Sequence, residues 1–163
     1  MNIETTYYKT PIGIAKITGD NNGIQSVSIL DDDKISLELL NQKVPQCLQD
    51  CVTQLDEYFK GERAGFNLTV NPKGTVFQLK VWASLLKIPY AKTSTYLQQS
   101  KALGDVKAIR AVAAANGKNP LWIIIPCHRV IGSDGSLTGY AGGIWLKKWL
   151  LAHENPVKQH TLF

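Results

Sequence analysis

Apolar and polar residues change their rhythm several times along the chain. Near the N-terminus the rhythm is that of strands: Ile12, Ile14 and Ile17 precede the turn-forming run Asp20-Asn21-Asn22-Gly23, and Val27 and Ile29 then lie on one face of an alternating run. This predicts a β-hairpin. From Asp31-Asp32-Asp33 onward the pattern becomes helical, and Leu48, Cys51, Leu55 and Tyr58-Phe59 have the spacing of an amphipathic helix that ends near Gly61. Phe66, Leu68 and Val70 alternate as a strand, and Asn71-Pro72-Lys73-Gly74 breaks the pattern. Beyond that break the chain reads as mainly helical. The prediction is an α/β (α+β) protein of two domains, 1–73 and 74–163.

The second half opens with Thr75 and, three residues on, Gln78, the signature of a capping box; Phe77, Val81, Trp82, Leu85 and Leu86 follow at helical spacing. Thr95 and Gln98 repeat the signature. They predict a short helix from Tyr96 to Ala102 that stops at Leu103-Gly104. Asp105 can cap a second helix, Val106 to about Ala115, which closes at Asn116-Gly117. Short helix, glycine turn and second helix form a helix-turn-helix pattern, one that antiparallel helix pairs in general share. The second helix is rich in alanine around a single Arg110. Such small residues suit close packing on another helix, or a helix that enters a DNA groove with Arg110 as its probe. Leu121-Trp122-Ile123-Ile124-Ile125 predicts a buried strand that leads to Pro126-Cys127-His128-Arg129, and a final helix runs from Ile144 to about His153.

Composition narrows the function. The 163 residues, 44% of them hydrophobic, suffice for a core, and the formal charge of +5 favours a polyanionic partner. No apolar run approaches the roughly 20 residues of a membrane helix, and the opening residues lack the blocks of a secretory signal. The chain is expected to be soluble, cytoplasmic and monomeric. Its three cysteines, Cys47, Cys51 and Cys127, lack the close spacing of a zinc ribbon or redox pair. Cys47 and Cys51 read as small buried hydrophobes on one helix face.

Cys127 is different. It follows an apolar run and a rigid proline and precedes His128 and Arg129, which can supply the positive charge or base that a thiolate nucleophile needs near neutral pH. On an extended chain adjacent side chains point opposite ways, so a bridging water between Cys127 and His128 is expected rather than a direct bond. For the isolated pair, an inert core cysteine beside a surface histidine is the favoured reading.

The wider context separates these readings. Pro126-Cys127-His128-Arg129-Val130, with Asn119-Pro120 before it and Gly142-Gly143 and Leu150-Leu151-Ala152-His153-Glu154 after it, closely resembles the O6-alkylguanine-DNA alkyltransferase family, over about half of the chain. The resemblance implies a ribonuclease-H-like N-terminal domain and a winged helix-turn-helix C-terminal domain. It implies that Cys127 accepts the alkyl group, His128 deprotonates it through water, Glu154 orients the histidine, and Asn119 braces the active-site turn. Tyr96 crowds the phosphate beside the target nucleotide and helps rotate it out. Arg110 fills the space left in the stack, and Ala111 and Arg129 join it on the DNA side. Tyr140, Ala141, Trp122 and Val130 line the base pocket, where the Cys127 carbonyl and the Ala141 N–H read the purine edge. The implied partner is double-stranded DNA carrying O6-alkylguanine, with O4-alkylthymine as a further substrate. No cofactor is required and no metal site is expected.

Other readings use the same residues differently. A winged helix could recognise lesions without chemistry, and a Cys-His hydrolase could use Glu154 as its orienting group. Trp82, Trp145 and Trp149 are expected in the core, His153 and His160 on the surface, and Lys147-Lys148 on an exposed helix face. Ala141 stands where some members of the family carry serine, and Trp122 where some carry proline. The bulk of Trp122 predicts a pocket entrance narrowed against large alkyl groups. Inactivation by O6-benzylguanine should therefore be much slower than by O6-methylguanine in DNA, and equal rates would refute it.

Overall fold

The structure is a computed structural model that describes residues 2–156, so His160 lies outside it. The chain forms two compact units: the first holds the chain as far as Lys73 together with Pro120–Ile124, the second Gly74–Asn119 and the chain from Ile125 onward. Among the described residues no helix is long and apolar enough to cross a membrane.

In the first unit, β1 (Glu4–Thr10), β2 (Gly13–Asp20) and β3 (Gly23–Leu30) form an antiparallel meander in the order β1-β2-β3. The hairpin read from the sequence is β2 and β3. Its turn is held by the Asn22 N–H, which donates to Asp20 Oδ1 at 2.8 Å, and by Gly23, whose φ of 141° a side chain would strain. β1 escaped notice because its polar Thr and Tyr residues carry no apolar alternation; only Thr6 and Thr10 are buried.

The helical stretch from Asp31 is interrupted. A 3-10 turn (Asp32–Lys34) and a single turn α1 (Leu37–Leu40), capped by Ser36, precede α2 (Gln46–Phe59), which Pro45 begins. Helix α2 buries the predicted stripe of Leu48, Cys51, Leu55, Tyr58 and Phe59. Each large apolar side chain so buried stabilises the unit by roughly 1.5–3 kcal/mol.

Two predicted strands do not form, for one reason. The free edge of β3 is divided between two short segments. At one end the Ile24 N–H donates to the Thr69 carbonyl and the Asn71 N–H to the Ile24 carbonyl, so only Val70 of the run 66–70 makes a bridge. At the other end the Val27 N–H donates to the Pro120 carbonyl and the Trp122 N–H to the Val27 carbonyl, so Leu121 alone pairs. The chain then turns away sharply. Ile123 has a φ of 74° and the Ile124 N–H donates to the Trp122 carbonyl at 2.8 Å, a γ-turn of the rarer, strained hand.

The second unit contains α3 (Val76–Leu85), α4 (Tyr96–Ala102), α5 (Ile109–Gly117) and α6 (Ile144–Glu154), with a two-residue parallel pair of β4 (Ser94–Thr95) and β5 (Val130–Ile131). Both capping boxes are present, at Thr75/Gln78 and Thr95/Gln98. After α4 the chain passes through Gly104 at φ 92°, and Asp105 caps a 3-10 turn (Val106–Ala108) that leads into α5, so the second helix starts three residues later than predicted. Gln99 of α4 and Asn116 of α5 exchange amide hydrogen bonds of 3.0 and 2.7 Å, and the Trp82 indole N–H donates to the Ala115 carbonyl at 2.8 Å. These buried polar ties fix the register of the helix pair.

Of the apolar side chains expected inward on α3, Val81, Trp82 and Leu85 are buried, whereas Phe77 and Leu86 are exposed. Trp145 was expected in the core but is 65% exposed at the start of α6, and half-buried Trp149 stacks on the half-buried His153 ring, with centroids 4.9 Å apart.

In the loop ahead of β4, Ala91 adopts φ 64°, a left-handed conformation that costs an L-residue roughly 1–2 kcal/mol. Glycine removes that cost but raises the entropy of the unfolded chain by an amount worth about 0.4–1 kcal/mol. Ala91→Gly should therefore stabilise the protein by on the order of 0.5–1 kcal/mol, measured by urea denaturation.

Candidate active site

The nucleophile candidate sits on a tight turn rather than on an extended chain. Pro126 (φ −84°, ψ 64°) centres an inverse γ-turn closed by the Cys127 N–H on the Ile125 carbonyl at 2.8 Å, and Cys127–Arg129 form a single 3-10 turn. Proline suits the centre of the γ-turn because its φ is already set. The turn buries all three side chains.

Asn119 spans it. Its side-chain amide donates to the Ile125 carbonyl at 2.8 Å and to Cys127 Sγ at 3.3 Å, which ties the sulfur to the chain just before it. Burial pushes the Cys127 thiol pKa up; the Asn119 hydrogen bond and the charge of Lys147 oppose that rise.

Glu154, in the last turn of α6, is 5% exposed and collects several donors. His128 Nε2 stands 2.7 Å from Oε2, Arg129 donates from Nε to Oε1 at 2.8 Å and from its terminal nitrogen to Oε2 at 3.0 Å, and the Ala91 N–H reaches Oε1 at 3.3 Å. Burial alone would raise the pKa of this carboxyl, but the bonds and charges of His128 and Arg129 outweigh it and hold Glu154 well below the ordinary carboxylate range. His128 is fully buried, which lowers its pKa against the pull of Glu154. Its Nδ1 is buried and, among the described residues, has no hydrogen-bond partner.

Lys147 was expected on an exposed face and is instead fully buried. Its ammonium donates to the Thr138 carbonyl at 3.0 Å and to the Tyr96 hydroxyl at 3.4 Å, and burial lowers its pKa to about 8. Spacing along α6 carried the missing signal: Lys147, Leu150, Leu151 and Glu154 recur at i, i+3, i+4 and i+7, so Lys147 belongs to the buried stripe. Lys148 is exposed.

Arg129 also departs from expectation. Placed by sequence on the DNA side, it is 6% exposed, bound twice to Glu154 and once to the Ile88 carbonyl at 2.8 Å, with its guanidinium 5.7 Å from the centre of the Tyr90 ring. Val130 is a fully buried residue of β5. Trp122 is carried by the first unit, half-buried, with its backbone on Val27.

Of the remaining predicted residues, Tyr96, Arg110, Tyr140 and Ala141 come together, while Ala111 is not among the residues that line the cavity they share. Tyr96, Arg110, Ala113, Gly117, Thr138, Tyr140 and Ala141 are among those that line one cavity of about 490 Å³. Arg110, Ala113 and Gly117 share a face of α5, and both Arg110 and Ala111 are exposed. Tyr96 begins α4 and donates its hydroxyl to the Thr138 carbonyl at 3.0 Å. Burial raises the Tyr140 and Tyr96 phenol pKa values, and in both the charge of Cys127 adds to the rise. Among the described residues no three His, Cys, Asp or Glu side chains are grouped to hold a metal ion. A small, mainly apolar cavity flanked by two tyrosines, a buried thiol and a histidine oriented by a carboxylate together suit transfer of a group from a flat ring onto sulfur.

Known proteins match both parts of this chain. Residues 3–72 match the model described as "6-O-methylguanine DNA methyltransferase, ribonuclease-like domain", and residues 76–156 the one described as "6-O-methylguanine DNA methyltransferase, DNA binding domain". A methylated-DNA–protein-cysteine methyltransferase of Methanosarcina acetivorans is 42% identical over 149 residues, 90% of this chain and 95% of that protein. The crystal structure of Mycobacterium tuberculosis O6-methylguanine methyltransferase aligns with a TM-score of 0.82 at 37% identity, covering 95% of this chain and 94% of that one. The same organism's protein in complex with DNA aligns with a TM-score of 0.79 at 37% identity, covering 93% of each chain. With both parts of the sequence matched and relatives aligned over nine-tenths of its length, the chain belongs to the 6-O-methylguanine DNA methyltransferase family.

Proposed function

We propose that this protein repairs double-stranded DNA by moving a methyl or other small alkyl group from O6 of guanine onto Cys127, once per molecule. The observation that carries this reading is a buried thiol held by Asn119 next to the His128-Glu154 pair, in the same unit as a cavity that Tyr96, Arg110 and Tyr140 line. The names of the aligned relatives support it.

The alkyl carbon of such a lesion is stacked inside the duplex, so the nucleotide must rotate out, at a cost of a few kcal/mol that a poorly pairing lesion reduces. Exposed Arg110 enters the vacated space, while Tyr96 at the start of α4 crowds the backbone and Ala111 lets α5 approach it. The extruded base enters the cavity against Tyr140 and the Ala141 N–H. Cys127 gives its proton, through a water, to His128 Nδ1, the buried nitrogen without a hydrogen-bond partner among the described residues. Glu154 accepts the Nε2–H throughout. The sulfur lone pair then forms the S–C bond as the C–O6 bond breaks. Its electron pair goes to the guanine, which leaves after taking up one proton. Lys147 presents a positive charge to the thiolate as it forms. The thioether has no leaving group that water can displace, so each molecule reacts once.

Intact-mass spectrometry after incubation with excess duplex containing O6-methylguanine should show one added methyl, mapped to Cys127, and no turnover beyond one equivalent. Cys127→Ala should bind the lesion and gain no mass. Repeated turnover would favour a hydrolase, and binding by the intact protein without an adduct a recognition protein.

Glu154 links the site to acid stability. Its native pKa is depressed, so its contribution is complete above the unfolded value near 4.3 and is lost as pH falls through that value toward the native one. At pH 7 Glu154→Gln, which leaves a buried arginine without its counter-charge, should cost about 3 kcal/mol. The gap between variant and wild type, followed by urea denaturation, should narrow below about pH 5.

A further inference from the structure

All three nitrogens of the Arg129 guanidinium are hydrogen-bonded within the second unit. Two of its nitrogens meet the two oxygens of Glu154, a third donates to the Ile88 carbonyl, and one face lies toward Tyr90. The same carboxylate receives the N–H of left-handed Ala91, whose carbonyl in turn accepts from the Asn155 amide at 3.4 Å. A bidentate contact fixes the plane of a carboxylate as well as its position.

A buried carboxylate left alone with an imidazole would draw a proton onto the ring, because an uncompensated buried charge is costly. Arg129 removes that demand. Its guanidinium sets a positive charge and two hydrogen bonds directly against the two carboxylate oxygens, so Glu154 is neutralised whatever His128 does. The other charged or titratable groups that bear on this pair are Cys127 on the 3-10 turn, Lys147 on α6, Tyr90 in the loop before β4 and Tyr140 in the glycine loop. Of these Lys147, like Arg129, opposes a second proton on His128.

We infer that Arg129 is a positioning residue: by neutralising Glu154 and fixing its plane, it keeps His128 at rest as an uncharged ring with its proton on Nε2 and its Nδ1 lone pair free to accept. The inference rests on the alkyl-transfer function proposed above, in which Nδ1 takes the Cys127 proton. It assigns to the arginine beside the nucleophile a task within the proton relay in place of a contact with DNA.

The deciding experiment is nitrogen-15 NMR of histidine-labelled wild-type protein near neutral pH. His128 should show one protonated nitrogen, Nε2, and one bare nitrogen, Nδ1. A doubly protonated ring, or the proton on Nδ1, overturns the inference, and this result needs no variant that folds. Arg129→Lys keeps the charge but cannot grip both oxygens. It should slow methyl transfer about ten- to a hundredfold, the scale of a misplaced catalytic group. It should also show a second His128 tautomer and a shifted pH profile for Cys127 alkylation by iodoacetamide. A folded Arg129→Lys protein with the wild-type tautomer, pH profile and rate would also overturn it. If the wild type fails to take a methyl from DNA, the proposed function falls while the NMR result still reports on Arg129.

Discussion

A single carboxylate organises the second unit. Glu154 ends α6, yet its two oxygens collect the ring of His128, the fork of Arg129 and the backbone N–H of Ala91. These donors come from the 3-10 turn that carries Cys127 and from the loop before β4. One buried negative charge therefore draws three separate stretches of chain to one point. The desolvation that isolation would impose on it is met by bonds whose geometry also defines the site. Stability and chemistry are hard to separate here, because the group that orients the base also closes the core.

The nucleophile is presented by turns rather than by regular structure. Ile123, a β-branched residue at positive φ, and Pro126, at the centre of an inverse γ-turn, bend the backbone twice within four residues. Asn119 spans the second bend and touches the sulfur directly. Backbone strain of this kind persists only where surrounding contacts over-determine it, and here nearly every side chain from Leu121 to Val130 is buried.

Much of this was legible in the sequence. Both capping boxes, the α2 stripe and the short helix of the helix-turn-helix follow from local rules, and local rules suffice where a helix supplies its own hydrogen bonds; the residues at the cavity were implied by the family resemblance instead. Strands were harder. The runs 66–70 and 121–125 have strand-like composition, but whether such a run pairs depends on a distant edge, and one edge of β3 had to serve both. Lys147 was misread because charge was taken as a sign of exposure. The spacing that puts Lys147 on the same stripe as Glu154 was present, and no local pattern could show that Arg129 turns inward to a carboxylate 25 residues away.

The sharing of the β3 edge also limits how such a protein can be divided or recombined. Pro120–Ile124 belongs to the first unit, yet it lies between Asn119 and Ile125, both of the second. A cut after Lys73 would release the helices with an apolar segment, Leu121, Ile123 and Ile124, stripped of the strand edge it rests on, three residues short of the reactive sulfur. The two units are thus interleaved along the chain rather than strung in series. A gene fusion that exchanged one of them at the apparent linker would carry a piece of the other with it, so selection on the reactive half necessarily acts on the sheet as well.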